Sequence, residues 1–315
     1  MGQQIPFPQN FAQLVRLGKM ASEQRKWPQA IAHLRAAYQY KQTFDVNILL
    51  VTALLADQQY QQAAALAQEK VTDYLSSATA CPLYVKTLLT THQFIAVRKL
   101  CIARPAGLET SFWHQQALVV QQAEVAYRTA APTQIAKLKK ALYQLSARHF
   151  YDQLALTKQA QFLPQTEFID AVTHLLTDPY IHPLIRAHFL NELRQLKVAT
   201  ALNFFWLDGK KHTVKPSALT AITTAPQFLQ LYQQINQQLL SDPIAKQNVL
   251  KELTLHAAYL YPFADKVIVR PQIWTAVYLA AYTNRQVDLT VFDSTQVQQI
   301  QNWQHRFEQL TQKLE

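Results

Sequence analysis

Titratable groups cluster in one stretch of the sequence, Asp178-Pro179-Tyr180-Ile181-His182-Pro183-Leu184-Ile185-Arg186-Ala187-His188. A histidine near a carboxylate could serve as a general base, and two histidines on one face could ligate a metal. The spacing argues against both. His182 and His188 stand six apart, which puts them on different helical faces, and His182 and Arg186 at i, i+4 repel once the histidine is protonated. Asp178 before Pro179, and His182 before Pro183, instead suit caps at helix starts. No HExxH, GxSxG or paired-carboxylate motif occurs elsewhere. The four glycines, Gly2, Gly18, Gly107 and Gly209, are too scattered to build a phosphate-binding loop. Cys81 and Cys101 lack metal or redox spacing and read as buried thiols. The expectation is therefore a protein that is not an enzyme, with no catalytic residue, no cofactor and no metal.

The elements that would position any binding residue show themselves as a repeat. Trp27, Tyr60 and Phe94 are spaced by 33 and then 34 residues. The same two steps link Ala30, Ala63 and Val97; Leu17, Leu50 and Tyr84; Ala21, Leu54 and Leu88; and Leu34, Ala67 and Cys101. Within each unit, apolar positions recur at helical spacing, break at a polar loop such as Gln24-Arg25-Lys26 or Asp57-Gln58-Gln59, and resume. Each unit thus reads as helix, turn, helix.

An aromatic at the turn followed three residues on by Ala or Val resembles the tetratricopeptide repeat. Leu14, Leu17, Gly18, Ala21, Trp27, Ala30, Leu34 and Ala37 fit that pattern in repeat one, residues 11–43. Repeats two and three, 44–77 and 78–110, depart from it: Val51 and Val85 replace the small residue, Lys70 and Arg104 replace the late Ala, and the closing Pro is missing throughout. The resemblance implies a right-handed stack whose concave face is lined by the first helix of each pair. That face would present Val15, Lys19 and Ser22, then Ile48, Thr52 and Leu55, then Lys86 and Leu89. Its mix of apolar and basic side chains suits a protein or peptide segment carrying acidic and aliphatic residues. Chaperone-tail binding is disfavoured, because Val15, Leu49 and Leu83 stand where the family's carboxylate clamp has Lys, Asn and Arg.

Beyond Ser111 the period fades but helical patterning continues over 112–129, 133–147, 149–161, 165–177 and 183–197. Residues 201–214 break it, with Asp208-Gly209 between β-formers predicting a hairpin whose Phe204, with Trp206 or Phe205, packs on helices. Helices then follow at 226–240, 244–261, 271–283 and 293–314, with Val267-Ile268-Val269 read as a short extended connector. The last helix carries a stripe of Val297, Ile300, Trp303, Phe307, Leu310 and Leu314 against a Gln-rich face, and could close the core or serve as a dimer surface. The predicted fold class is all-α, a tetratricopeptide-like helical-hairpin solenoid over 1–200 (clearest over 11–110), followed by a mostly helical region, 201–315, opening with one β-hairpin.

The segments from His149 to Gln153, Leu163 to Phe168 and Leu175 to Ile185, with Tyr261-Pro262, resemble a family of Gram-positive (Firmicutes) tetratricopeptide proteins whose functions are largely unassigned. The resemblance spans most of the chain and implies a cytoplasmic scaffold acting through protein partners, some relatives being tied to regulated proteolysis and control of cell-wall precursor synthesis. Residues 1–8 carry no apolar signal core and the most apolar run, 46–56, is too short to span a bilayer, so no membrane association is expected. The net charge of +10 concentrates between 81 and 200, with 13 basic and 7 acidic side chains. The tightest clusters are Arg98, Lys99 and Arg104, and Lys137, Lys139 and Lys140; neither interleaves with aromatics. A nucleic-acid-binding or transcription-related regulator using this basic middle is the alternative to a non-catalytic adaptor.

Overall fold

Three residues that lack a glycine's freedom nevertheless take a left-handed backbone: Arg25 (φ 58°), Gln58 (φ 60°) and His92 (φ 59°). They sit in one register, 33 and then 34 residues apart. At each, the chain closes the end of a helix by the same bond, from Lys26 N–H to Ala21 O (2.9 Å), Gln59 N–H to Leu54 O (2.9 Å) and Gln93 N–H to Leu88 O (2.8 Å). The left-handed residue takes up helix-terminal carbonyls and reverses the chain. The repeat read from side chains is thus repeated in the backbone.

The structure, a computed structural model, describes residues 8–314. Its helices fall into two compact units, one made of the chain up to Ala136 with Gln159–Phe168, the other of Lys137–Lys158 and the chain from Ile169 onward. Residues 137–158 and 169–200, grouped by sequence with the repeats, therefore pack with the C-terminal elements. The reading of residues 1–7 lies outside the described residues.

The first unit runs through α1 (Pro8–Glu23), α2 (Trp27–Tyr40), α3 (Phe44–Ala56), α4 (Tyr60–Gln68), α5 (Val71–Leu75), α6 (Cys81–Thr90), α7 (Phe94–Ala103) and α8 (Thr110–Ala130). Consecutive helices pair, and α1, α3, α6 and α8 also lie side by side, as a helical-hairpin solenoid requires. The aligned columns form its interior: Ala30, Ala63, Val97, Leu34 and Ala67 are wholly buried, and Leu50, Leu54, Tyr84 and Leu88 nearly so. Gly18 is needed for a close approach, since a Cβ there would lie 2.5 Å from Leu34 Cγ. The two departures at the late Ala column mark where helices stop. Lys70 separates α4 from α5, and Arg104 (φ 48°) ends α7.

One buried polar group ties this stack together. Asn47, fully buried, donates to Leu66 O (3.0 Å) and Tyr38 Oη (3.1 Å) and accepts from Tyr74 Oη–H (2.9 Å). Tyr38 in turn donates to Glu69 Oε2 (2.9 Å). Leu66 lies in the last turn of α4, so Asn47 satisfies a carbonyl that the helix itself leaves open.

α9 (Pro132–Tyr143), α10 (Phe150–Gln159) and α11 (Gln165–Leu175) follow, then α12 (Pro183–Gln195). β1 (Leu202–Phe205) and β2 (Lys211–Val214) form the expected antiparallel hairpin, with Phe204 facing His212 and Gly209 (φ 76°) in the turn. Phe204 and Trp206 are both buried, and Phe205 N–H donates to Leu176 O (2.9 Å), so the hairpin is anchored by apolar contact and by backbone. α13 (Pro226–Gln238), α14 (Pro243–Leu260), α15 (Ala264–Val267), α16 (Pro271–Tyr282) and α17 (Ser294–Gln312) complete the second unit. Val267 closes the one-turn α15 rather than starting an extended connector; Ile268, Val269 and Arg270 link α15 to α16. Val297, Ile300 and Phe307 of α17 are buried, with Phe307 stacked on Tyr259 (5.8 Å between centroids) and on His256 (4.4 Å). That stripe closes the core of this unit. Among the described residues, no helix is long and apolar enough to cross a membrane. The fold is all-α, a solenoid of helical hairpins and a mostly helical second unit that carries one β-hairpin among the described residues.

Candidate functional site

The face predicted to bind is carried by α1, α3 and α6, which lie next to one another. Lys19 and Lys86 are exposed, as is Thr52, whose hydroxyl donates to Ile48 O (2.7 Å). Val15, Ile48 and Leu89 are half-buried, their inner sides resting on the core. Ser22 is half-buried and spends its hydroxyl on Gly18 O (2.9 Å). Leu55 departs from the expectation: only 8% exposed, it belongs to the core. Although i+3 from exposed Thr52 and so on the same side of α3, it is covered by neighbouring core residues.

Lys86 and Leu89 share a defined cleft. It measures about 700 Å³ and lies between α6 and α8, with Pro82, Lys86 and Leu89 on one wall and Phe112, Gln115 and Val119 on the other. Val119 is 39% exposed, and Leu118 and Val125 of α8 are more so, leaving apolar surface in the open on this helix. The α8 wall was missed in sequence because the repeat register fades at 110. Its signal was present in the 112, 115, 116, 119 spacing, which places four residues on one helical face.

The cleft's support is chemically quiet. Burial pushes the Cys81 and Cys101 thiols up to about 11, which keeps them protonated and unreactive. Glu124, on the buried side of α8, accepts from Arg98 (2.6 Å) and from Gln165 N–H (3.1 Å), so its carboxylate is consumed in holding the unit together. Two further cations of the basic middle are paired, Arg128 with Glu167 (2.7 Å) and Lys139 with Asp170 (2.6 Å).

The titratable run of the second unit builds a capped turn. His182 is the N-cap of α12, its Nδ1 accepting from Leu184 N–H (3.3 Å), and burial lowers its pKa. Asp178 accepts from Tyr180 N–H (2.9 Å). Arg186, 3% exposed, donates to Asp178 O (2.9 Å) and to Ile181 O, with the Phe205 ring beneath it (5.2 Å); burial pushes its pKa down to about 10. His188 points to the exposed side of α12. Hydrogen bonds to backbone fix His182, Asp178 and Arg186 in this turn, and no oriented acid–base pair results.

No protein-family model matches this chain, and no curated protein is found similar to it.

Proposed function

We propose that the protein is a non-catalytic adaptor whose helical-hairpin unit holds a segment of a partner protein across α1, α3, α6 and α8. The cleft between α6 and α8 is the centre of that surface. The observation that supports this most is the open seam there, where Lys86 stands beside half-buried Leu89 and exposed Val119. An aliphatic side chain of the partner would fill the apolar floor, and an acidic one would meet Lys86, with Lys19 extending the charge along the stack. This reading places the protein among tetratricopeptide-type scaffolds of the bacterial cytoplasm, where regulated proteolysis or control of cell-wall synthesis is a fitting context. Binding of nucleic acid is less favoured, since Arg98, Arg128 and Lys139 of the basic middle are already paired with carboxylates.

The test is selection from a displayed random-peptide library on the intact protein and on a Lys19→Glu/Lys86→Glu variant of unchanged helicity. We expect enriched peptides that combine Asp or Glu with Leu, Ile or Val, and that are lost on the variant. Enrichment of basic peptides, or equal retention by both proteins, would overturn the assignment.

A further inference from the structure

The second unit holds a cleft that the adaptor reading does not use. It encloses about 740 Å³ between the α15–α16 segment and α17, a size suited to a small molecule. Its charge is one-sided. Lys266, Arg270 and Arg306 line it, no carboxylate does so among the described lining residues, and none of the three forms an ion pair among the described residues. Their neighbours are neutral: Lys266 lies over the Phe263 ring (4.0 Å), Arg270 donates to Gln296 Oε1 (3.1 Å), and Arg306 lies over Trp303 (5.3 Å) and donates to Leu207 O. Three unpaired cations converging on one concave surface favour an anion.

The remainder of the lining narrows the class. Trp303 is half-buried and offers a flat apolar surface beside Ile300. Trp206, 6% exposed, lines the same cleft and adds apolar wall beside Trp303. Gln299 and Asn302 add amides, which both donate and accept. A fatty acid would satisfy the cations and the apolar wall but leave the amides unmatched. A flat ring with a hydrogen-bonding edge and an attached phosphate matches all of them.

We propose that this cleft binds a nucleoside phosphate, its phosphate held by Lys266 and Arg270 and its base stacked on Trp303 within reach of the amides. The site gives the protein a small-molecule input on a unit separate from the one proposed to hold the partner.

The experiment is titration of the full-length protein with AMP, GMP, CMP and UMP, followed by calorimetry and tryptophan fluorescence, with the free nucleosides and inorganic phosphate as parallel probes. We expect at least one monophosphate to bind with saturation below millimolar concentration and to quench fluorescence. Its nucleoside and inorganic phosphate should each bind about tenfold more weakly or worse, because stacking and charge are each lost in turn. Lys266 and Arg270 are exposed, so Lys266→Glu/Arg270→Glu should keep the fold, checked by circular dichroism, and lose about tenfold or more in affinity. Absence of binding by all four monophosphates at millimolar concentration, equal binding of inorganic phosphate alone, or unchanged affinity in the charge-reversed protein would each overturn the proposal.

Discussion

Replacing Asn47 by Ala should be among the most damaging single changes in the repeat unit. The side chain makes three hydrogen bonds at a fully buried position, to Leu66 O, Tyr38 Oη and Tyr74 Oη. Tyr38 would keep Glu69 as acceptor, whereas Tyr74 Oη–H and Leu66 O would be left facing one another's empty partner. Stranding a buried donor or acceptor costs about 1–3 kcal/mol each, and the vacated volume adds to it, so the expected loss is about 3–5 kcal/mol. That is a large share of the roughly 5–15 kcal/mol that holds a domain folded. Two units need not unfold together, so the assay should be local: native-state hydrogen exchange of the α3 and α4 amides in increasing urea. Tyr74→Phe removes one of the stranded groups in advance. The Asn47→Ala/Tyr74→Phe double variant should therefore be less destabilised than the sum of the singles, by about 1 kcal/mol or more. A loss below about 1 kcal/mol for Asn47→Ala, or strictly additive singles, would refute the assignment of this network as the tie between α2, α3, α4 and α5.

Gly18→Ala should destabilise the same unit despite Ala's better helix propensity. The new Cβ would meet Leu34 Cγ at 2.5 Å, and overpacking of about 1–3 kcal/mol outweighs a gain of about 1 kcal/mol; thermal unfolding above the wild-type midpoint would contradict this. At the left-handed Gln58, Gly should be tolerated or mildly stabilising and Val should cost about 1–2 kcal/mol relative to it, as read from urea midpoints. In the second unit, burial pushes the His256 pKa down to about 4, with Nδ1 at 2.7 Å from Tyr278 Oη. The folded state holds this ring neutral while the unfolded chain protonates near pH 6.5. Stability is therefore complete above that pH and falls as pH drops toward about 4, by on the order of 3 kcal/mol. Burial lowers His182 too, adding in the same direction. His256→Gln should flatten the pH profile of thermal stability, and an unchanged profile would count against the buried neutral ring.

Much of the first unit could be read from side-chain spacing, because its contacts are local. Trp27, Tyr60 and Phe94 begin α2, α4 and α7, and the buried columns between them follow the same steps. The C-terminal helices were legible for the same reason, with Pro183, Pro226, Pro243 and Pro271 each standing at the first position of a helix. What escaped the sequence depends on partners distant along the chain. Asn47 is a lone amide within the apolar run 46–56, and only its approach to Tyr74 and Leu66, 27 and 19 residues away, makes it a structural tie. Leu55 was placed on the open face because helical spacing alone does not say which neighbour covers it. The α8 wall of the cleft, and the grouping of Trp206 with Arg270 and Arg306 in the second unit, arise from packing between helices rather than from any motif.

The claim that α6 and α8 form the partner-binding seam is tested most directly by site-specific photo-crosslinking. A photoreactive phenylalanine analogue at Val119, with a matching one at exposed Leu229 of α13 as control, would be irradiated with a fluorescent acidic–aliphatic peptide enriched on the intact protein. We expect labelling from position 119 that disappears with Lys86→Glu, and none from position 229. Equal labelling from both positions, or labelling at 119 that survives the charge reversal, would contradict the seam as the site of recognition.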